Sequence, residues 1–352
     1  MSPASRSHRL VATLMGAALL SACGTLSLLP AAKKATQGAR TAASTLDNPL
    51  DGARALAHTR YLTDAALAGR GTATAGDYKA DDYIVREFEK LGLPVIKQAF
   101  QNPRFKGTAH NVIALLPGSE RSNRYLVVGA HKDHLGVREG KMYPGANDNA
   151  GGTAAVLEIA RVMVDRNQNH GDRPRANILF MTFSGEELGL LGSTYYTKNP
   201  VAPKLDGGAM PIPLSAIKGM VNMDCIAVGN TNTIGTDAVE DPFTSRGDLS
   251  AMATQRGLKM VFKPFKIPHT HEVGGLALPP WASSDHAAFR RAGVRAICYY
   301  AEPVMSKYLH TPNDTLPERD TIDKKPADQF NIDNLVRIAA VAYDTLKAWS
   351  NE

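Results

Sequence analysis

The stretch Gly145-Ala146-Asn147-Asp148-Asn149-Ala150-Gly151-Gly152 decides how this chain is read. Small residues surround one carboxylate, and Val156, Ile159, Ala160 and Met163 follow at helical spacing. The stretch is therefore a loop that opens into a helix. Just upstream, residues 125–130 are an apolar strand candidate that runs into His131-Lys132-Asp133-His134. Downstream, residues 176–183 form another, followed by Ser184-Gly185-Glu186-Glu187.

The same alternation extends outward. Residues 95–100, 110–116, 218–223 and 294–300 read as further strands, and residues 50–67, 78–91, 188–196, 248–256 and 284–291 as helices. Leu335, Ile338, Ala342, Leu346 and Trp349 mark the core face of a terminal helix. Residues 227–249 and 263–282, rich in Gly, Pro and Thr, read as loops over the site. This order predicts an α/β protein with a mostly parallel sheet and helices on both faces. Ligands in such folds bind outside the carboxyl ends of the strands. His131, Asp148, Glu186, Glu187, Asp224 and His310 all fall at such ends.

Imidazoles and carboxylates without a thiolate suit zinc; cobalt and manganese fit similar sites. A carboxylate has two oxygens, so Asp148 can bridge two ions about 3.5 Å apart. His131 and Asp224 then complete one position, and Glu187 and His310 the other. Adjacent residues leaving a strand point in different directions, so Glu187 can bind metal while Glu186 serves as general base. Asp133 has the placement of a carboxylate that orients the His131 imidazole. His134 either faces the substrate or is a surface or packing histidine. Ser284-Asp285-His286 is not a serine triad, whose members need no adjacency. It reads as a helix start capped by Ser283 or Ser284, with Asp285 or His286 bordering the site. His58, His110, His170, His269 and His271 receive no role.

The chain has 352 residues, 43% of them hydrophobic, enough for one large domain. Its net charge of +6 is dispersed, with no basic block that argues for nucleic acid. Arg6 and Arg9 precede an apolar run over residues 10–20, too short for a mature membrane span, and then Leu20-Ser21-Ala22-Cys23. This end resembles a bacterial lipoprotein signal, which makes residues 1–22 a signal peptide and Cys23 a lipidated anchor to the membrane. An ordinary cleaved signal is the alternative. By the same resemblance, Gly24 in place of an acidic residue points to the outer membrane. Residues 23–46 suit a flexible tether and residues 47–352 a single domain. Cys225 and Cys298 either pair as a disulfide or remain two buried thiols.

Gly129-Ala130-His131-Lys132-Asp133-His134, the Asp148 stretch, Ser184-Gly185-Glu186-Glu187-Leu188-Gly189, Asn222-Met223-Asp224 and His310-Thr311-Pro312-Asn313-Asp314-Thr315 together resemble the co-catalytic di-zinc exopeptidase family of bacterial leucyl aminopeptidases and aminopeptidase Y. The resemblance implies an α/β/α sandwich around a mixed sheet. It also implies two zinc ions on His131, Asp148, Glu187, Asp224 and His310, with Glu186 as base. The implied reaction releases N-terminal residues from peptides by attack of a metal-bound hydroxide. A carboxypeptidase or dipeptidase of the same fold, a one-zinc glutaminyl cyclase, and an inactive binding protein are the rivals. The span between Phe100 and His110 has no room for the insert domain common in that family, and no group for the substrate amine is identified.

Overall fold

The computed structural model describes residues 49–119, 123–229, 232–238, 245–265, 267–268, 281–302, 307–317 and 329–352. The N-terminal signal, Cys23 and the tether lie outside the described residues, as do His269 and His271. Eight strands build one mixed sheet: β1 (Val95–Phe100), β2 (Ala109–Leu116), β3 (Tyr125–His131), β4 (Asn177–Phe183), β5 (Ile217–Met223), β6 (Thr233–Thr236), β7 (Lys259–Phe262) and β8 (Ala296–Ala301). Their order is β1-β2-β4-β3-β5-β8-β6-β7. The centre, β4-β3-β5-β8, is parallel throughout. Antiparallel pairs join β1 to β2, β2 to β4 and β6 to β8.

Among the described residues seven α-helices accompany the sheet: α1 (Gly52–Leu62), α2 (Ala75–Lys90), α3 (Gly151–Asn169), α4 (Leu191–Lys198), α5 (Arg246–Gln255), α6 (His286–Arg291) and α7 (Ile332–Asn351). Strand residues alternate between two cores. Leu126, Val128, Ala130, Ile178 and Phe180 pack with Ile84 and Phe88 of α2, Val156 and Ile159 of α3, and Leu335 and Ile338 of α7. Val127, Leu179, Met181 and Phe183 face the other way, onto Tyr196 of α4 and Phe289 of α6. Because both faces are covered, the central strands are apolar at nearly every position. No helix among the described residues is long and apolar enough to cross a membrane.

Several expectations are corrected. The first helix ends at Leu62, and a short turn over Ala65–Arg70 follows it. α4 starts at Leu191, later than its sequence suggests, because residues 185–190 turn tightly, with the Leu191 amide donating to the Gly185 carbonyl. Residues 233–236 and 259–262 are strands of the main sheet. Thr-Ile-Gly-Thr carries little strand signal, but Gly235 lies under the Tyr300 ring, where a Cβ would meet ring carbons at 2.0 Å. α6 has no side-chain cap from Ser283 or Ser284; Ser283 Oγ instead sits 3.1 Å from His286 Nε2. Cys225 and Cys298 are free thiols packed with Phe265 and Tyr300.

The loops at the carboxyl ends of the strands are tied by buried charge. Arg70, fully buried, donates from Nε to the Lys132 carbonyl (2.8 Å), from Nη1 to Pro144 (2.7 Å) and Leu62, and from Nη2 to Gly145 (3.0 Å). Lys132 pairs with Asp77 and, at 2.7 Å, with Asp81 of α2; Asp77 also accepts from Ser184 Oγ at 2.8 Å. These contacts clamp the β3 and β4 ends onto α2 and the Asp148 loop onto the turn that precedes that helix. Replacing Arg70 with Met leaves several buried carbonyls unpaired, each worth about 1–3 kcal/mol. We expect Arg70→Met to lower unfolding free energy by at least about 3 kcal/mol in urea titrations. An unchanged midpoint would refute the clamp.

Candidate metal centre

His131 is the last residue of β3, and Asp224 directly follows β5, its amide held by the Tyr299 carbonyl at 3.0 Å. Glu186 and Glu187 lie on the turn after β4. Asp148 occupies the turn Ala146–Ala150 that enters α3, and the Asp148–Asn149 peptide bond is cis. His310 sits on the loop after β8 at φ +54°, a left-handed conformation uncommon outside glycine and held by surrounding structure. Because β3, β4, β5 and β8 are parallel, all these ends open on one edge of the sheet.

The five expected ligands meet there. His131 Nε2 stands 3.2 Å from Asp148 Oδ1 and 3.4 Å from Asp224 Oδ1. His310 Nε2 stands 3.0 Å from Asp148 Oδ2 and 3.5 Å from Glu187 Oε2. Asp148 thus turns one oxygen to each imidazole. His131 Nε2, Asp148 Oδ2 and both Asp224 oxygens are buried, yet make no hydrogen bond of proper geometry among the described residues. Native proteins rarely leave such atoms unpaired. Lone pairs that converge without bonding one another are what cation ligands require. The donor atoms of His131, Asp148 and Asp224 lie within 4.8 Å of one another, as do those of His134, Asp148 and Glu187 and those of His131, Glu186 and Glu187. Nitrogen and oxygen donors of this kind fit zinc.

Electrostatics agree with that fit. Burial pushes the Asp148 carboxyl up, but His131, His310 and His134 outweigh it and hold it well below the usual range. Glu187 is likewise lowered, burial being overcome by His310 and His134. Burial pulls His310 down, but Glu187 and Asp148 lift it to about 9; His131 is raised well above its ordinary value despite burial, chiefly by Asp224 and Glu186. Glu186 goes the other way: burial drives its carboxyl well above the usual range, Glu187, Asp224 and Asp285 add to this, and His131 opposes it. A carboxylate with that affinity for a proton is suited to accept one.

Neighbouring residues fix the geometry. His131 Nδ1 hydrogen-bonds the Asp133 main-chain carbonyl at 3.1 Å, while the Asp133 carboxylate stands 3.8 Å away. That carboxylate accepts instead from Thr72 Oγ1 (2.7 Å) and the Glu186 amide (3.3 Å), so it holds the Glu186 turn. Asp314 was not singled out from sequence, although it lies in the His310 motif. It accepts from the amides of Asn147 (2.9 Å) and Asp148 (3.0 Å) and so pins the Asp148 loop. Asn149 holds the same loop by donating to the Met223 carbonyl at 2.9 Å. Asp285 borders the cluster: burial pushes it to about 7, with His131 the main opposing neighbour. His286 turns away to Asp237. His58 and His110 bond Tyr83 and Asp81, away from the cluster.

An open α/β sheet with acidic and imidazole groups converging at its carboxyl edge defines a metallohydrolase-like scaffold. The chain belongs to Peptidase family M28, whose sequence pattern matches residues 111–332. It is 32% identical over 272 residues to leupeptin-inactivating enzyme 1 of Streptomyces exfoliatus, covering 76% of this chain and 53% of that protein. It is 31% identical over 214 residues to leucine aminopeptidase 1 of Arthroderma otae, covering 59% of this chain and 52% of that protein. The chain spans about half the length of these curated relatives. A zinc aminopeptidase from Bacillus subtilis shares the fold, with a TM-score of 0.63 at 16% identity over 85% of this chain and 96% of that one. Glutaminyl cyclases also share it.

A cation must displace protons from His131 and His310 to reach their lone pairs. Zinc affinity should therefore climb as pH rises toward about 9, with protons released on binding. Calorimetry in buffers of different ionisation enthalpy measures that release, and binding without it would contradict the site. The raised His310 value also sets a sign for the metal-free protein. This contribution to stability is complete below about 6.5 and is lost as pH rises through about 9.

Proposed function

We propose that the chain is a zinc-dependent aminopeptidase that releases N-terminal residues from peptides. The observation that carries this reading is the single carboxylate, Asp148, shared between two imidazole-carboxylate groups, with the buried Glu186 beside them. His131, Asp148 and Asp224 would hold one zinc ion, and Asp148, Glu187 and His310 the other. Zinc held there would supply Lewis-acid polarisation of a peptide carbonyl and a more acidic water. Glu186 accepts the proton of the attacking water and returns it to the leaving amine. Asp133 keeps the Glu186 turn in place, and Asp314 keeps Asp148 in register between the two imidazoles.

Membership of a peptidase family and similarity to a leucine aminopeptidase support the choice of substrate end. A one-zinc cyclase has no need of both His131 and Asp224 beside a second complete ligand group, and this favours the two-zinc peptidase. The Arg6, Arg9 and Cys23 pattern supports a lipid-anchored protein of the cell envelope, in the outer membrane. Labelled palmitate should enter the unaltered chain and not Cys23→Ser; an unlabelled parent would remove the anchor.

The decisive assay is a panel of unblocked aminoacyl reporters beside N-blocked dipeptides, with and without chelator, on protein whose zinc has been counted. We expect turnover of the unblocked set alone, abolished by chelator, at two zinc ions per chain. Turnover confined to N-blocked substrates, or one zinc with cyclisation of N-terminal glutamine, would displace the proposal. Glu186→Gln should keep both metals and lose about 10²–10⁴-fold in kcat. Near-normal turnover would remove Glu186 from the proton transfer.

A further inference from the structure

His134 lies inside the cluster but has no part in the ligand set just proposed. Its amide donates to the Arg70 carbonyl at 3.1 Å, which fixes its backbone against the buried clamp. Its side chain is fully enclosed, and Nδ1 stands 2.6 Å from Glu187 Oε1. The other oxygen of Glu187, Oε2, faces His310 Nε2 at 3.5 Å. The His134 ring also rests on Gly145, at φ +58°, where a Cβ would meet ring carbons Cδ2 and Cγ at 2.6 Å. Only a glycine there leaves room for the ring. Nε2 is buried and without a hydrogen-bond partner among the described residues.

Resting on the ligand assignment above, we propose that His134 is a positioning residue that occupies Glu187 Oε1, so that Glu187 offers its metal ion a single oxygen, Oε2. An imidazole against a carboxylate at this distance carries its hydrogen on the facing nitrogen, whether the ring is neutral or protonated. That hydrogen engages a lone pair on Oε1. That bond lowers the basicity of Oε1 and leaves Oε2 the better donor, which biases the carboxylate toward binding a cation through Oε2 alone. Two consequences follow for the ion on Glu187 and His310. Its ligand is held in one orientation, which strengthens binding. It also keeps a coordination position that a two-oxygen Glu187 would fill, open to the substrate's amine or carbonyl. The proposal therefore gives the two metal positions different openness, set by a residue that touches neither ion.

The test uses side chains that mimic one ring nitrogen each. The Asn amide nitrogen falls near the place of Nδ1, and the Gln amide nitrogen near that of Nε2. Zinc affinities at both positions are measured by chelator competition, with kcat and KM followed separately. We expect His134→Ala and His134→Gln to weaken one zinc about 10–100-fold while the other is unmoved, and His134→Asn to restore it to within a few fold. Rescue by Gln instead of Asn, or unchanged affinity in all three variants, overturns the proposal. Should the variants fold poorly, a zinc-loaded crystal structure of the unaltered protein decides the matter. One Glu187 oxygen on the metal with the other on His134 sustains it. Both oxygens on a metal overturn it alone, and no metal on Glu187 overturns the ligand assignment with it.

Discussion

The rest of the structure depends on the Asp148 carboxylate, buried between the imidazoles of His131 and His310 with one oxygen turned to each. Burying a charge is costly unless opposite charge or hydrogen bonds repay it. Here the repayment comes from His131 and His134 on one segment and His310 on another, far apart in sequence. Any drift of one loop would leave a carboxylate alone in a dry interior. The cluster thus acts as a constraint on the fold as well as a site within it.

The constraint is met by a surrounding layer of buried charge that has no chemistry of its own. Arg70 gathers carbonyls from the β3 end and the Asp148 loop, and Asp314 takes two amides from the same loop. Lys132, between Asp77 and Asp81, ties the residue after His131 to α2. Burial pulls its ammonium down, but the two aspartates outweigh that and raise its pKa. Such networks are costly if half satisfied and rigid when complete. Rigidity here serves a centre whose donor atoms must converge without hydrogen-bonding one another.

The scaffold is common to the peptidases and cyclases that share this fold, so it does not by itself choose a reaction. The surroundings of Asp148 are not symmetric. Glu187 lies on its His310 side and Asp224 on its His131 side; Glu187 has an imidazole, His134, against its other oxygen, whereas both Asp224 oxygens are without a hydrogen-bond partner among the described residues. Glu186 next to it is driven toward the protonated form while Glu187 is driven away from it. Two adjacent glutamates are thereby given opposite proton affinities by their surroundings.

Much of this was legible in the sequence. Apolar runs at residues 125–130 and 176–183, each followed by acidic or imidazole groups, prescribe buried parallel strands with polar carboxyl ends, because hydrophobic periodicity is local and side-chain chemistry is visible letter by letter. The same reading brought His131, Asp148, Glu187, Asp224 and His310 into one set. It could not find β6 and β7, whose short segments become strands only through pairing at the sheet edge, nor the free state of Cys225 and Cys298. It placed Asp133 beside His131 without its bonds to Thr72 and Glu186, and left His134 open, because which oxygen meets which nitrogen depends on contacts between residues some fifty positions apart. Residue types and their order fixed the kinds of groups available; only the packed chain, by burying them together, decided which atom each one faces.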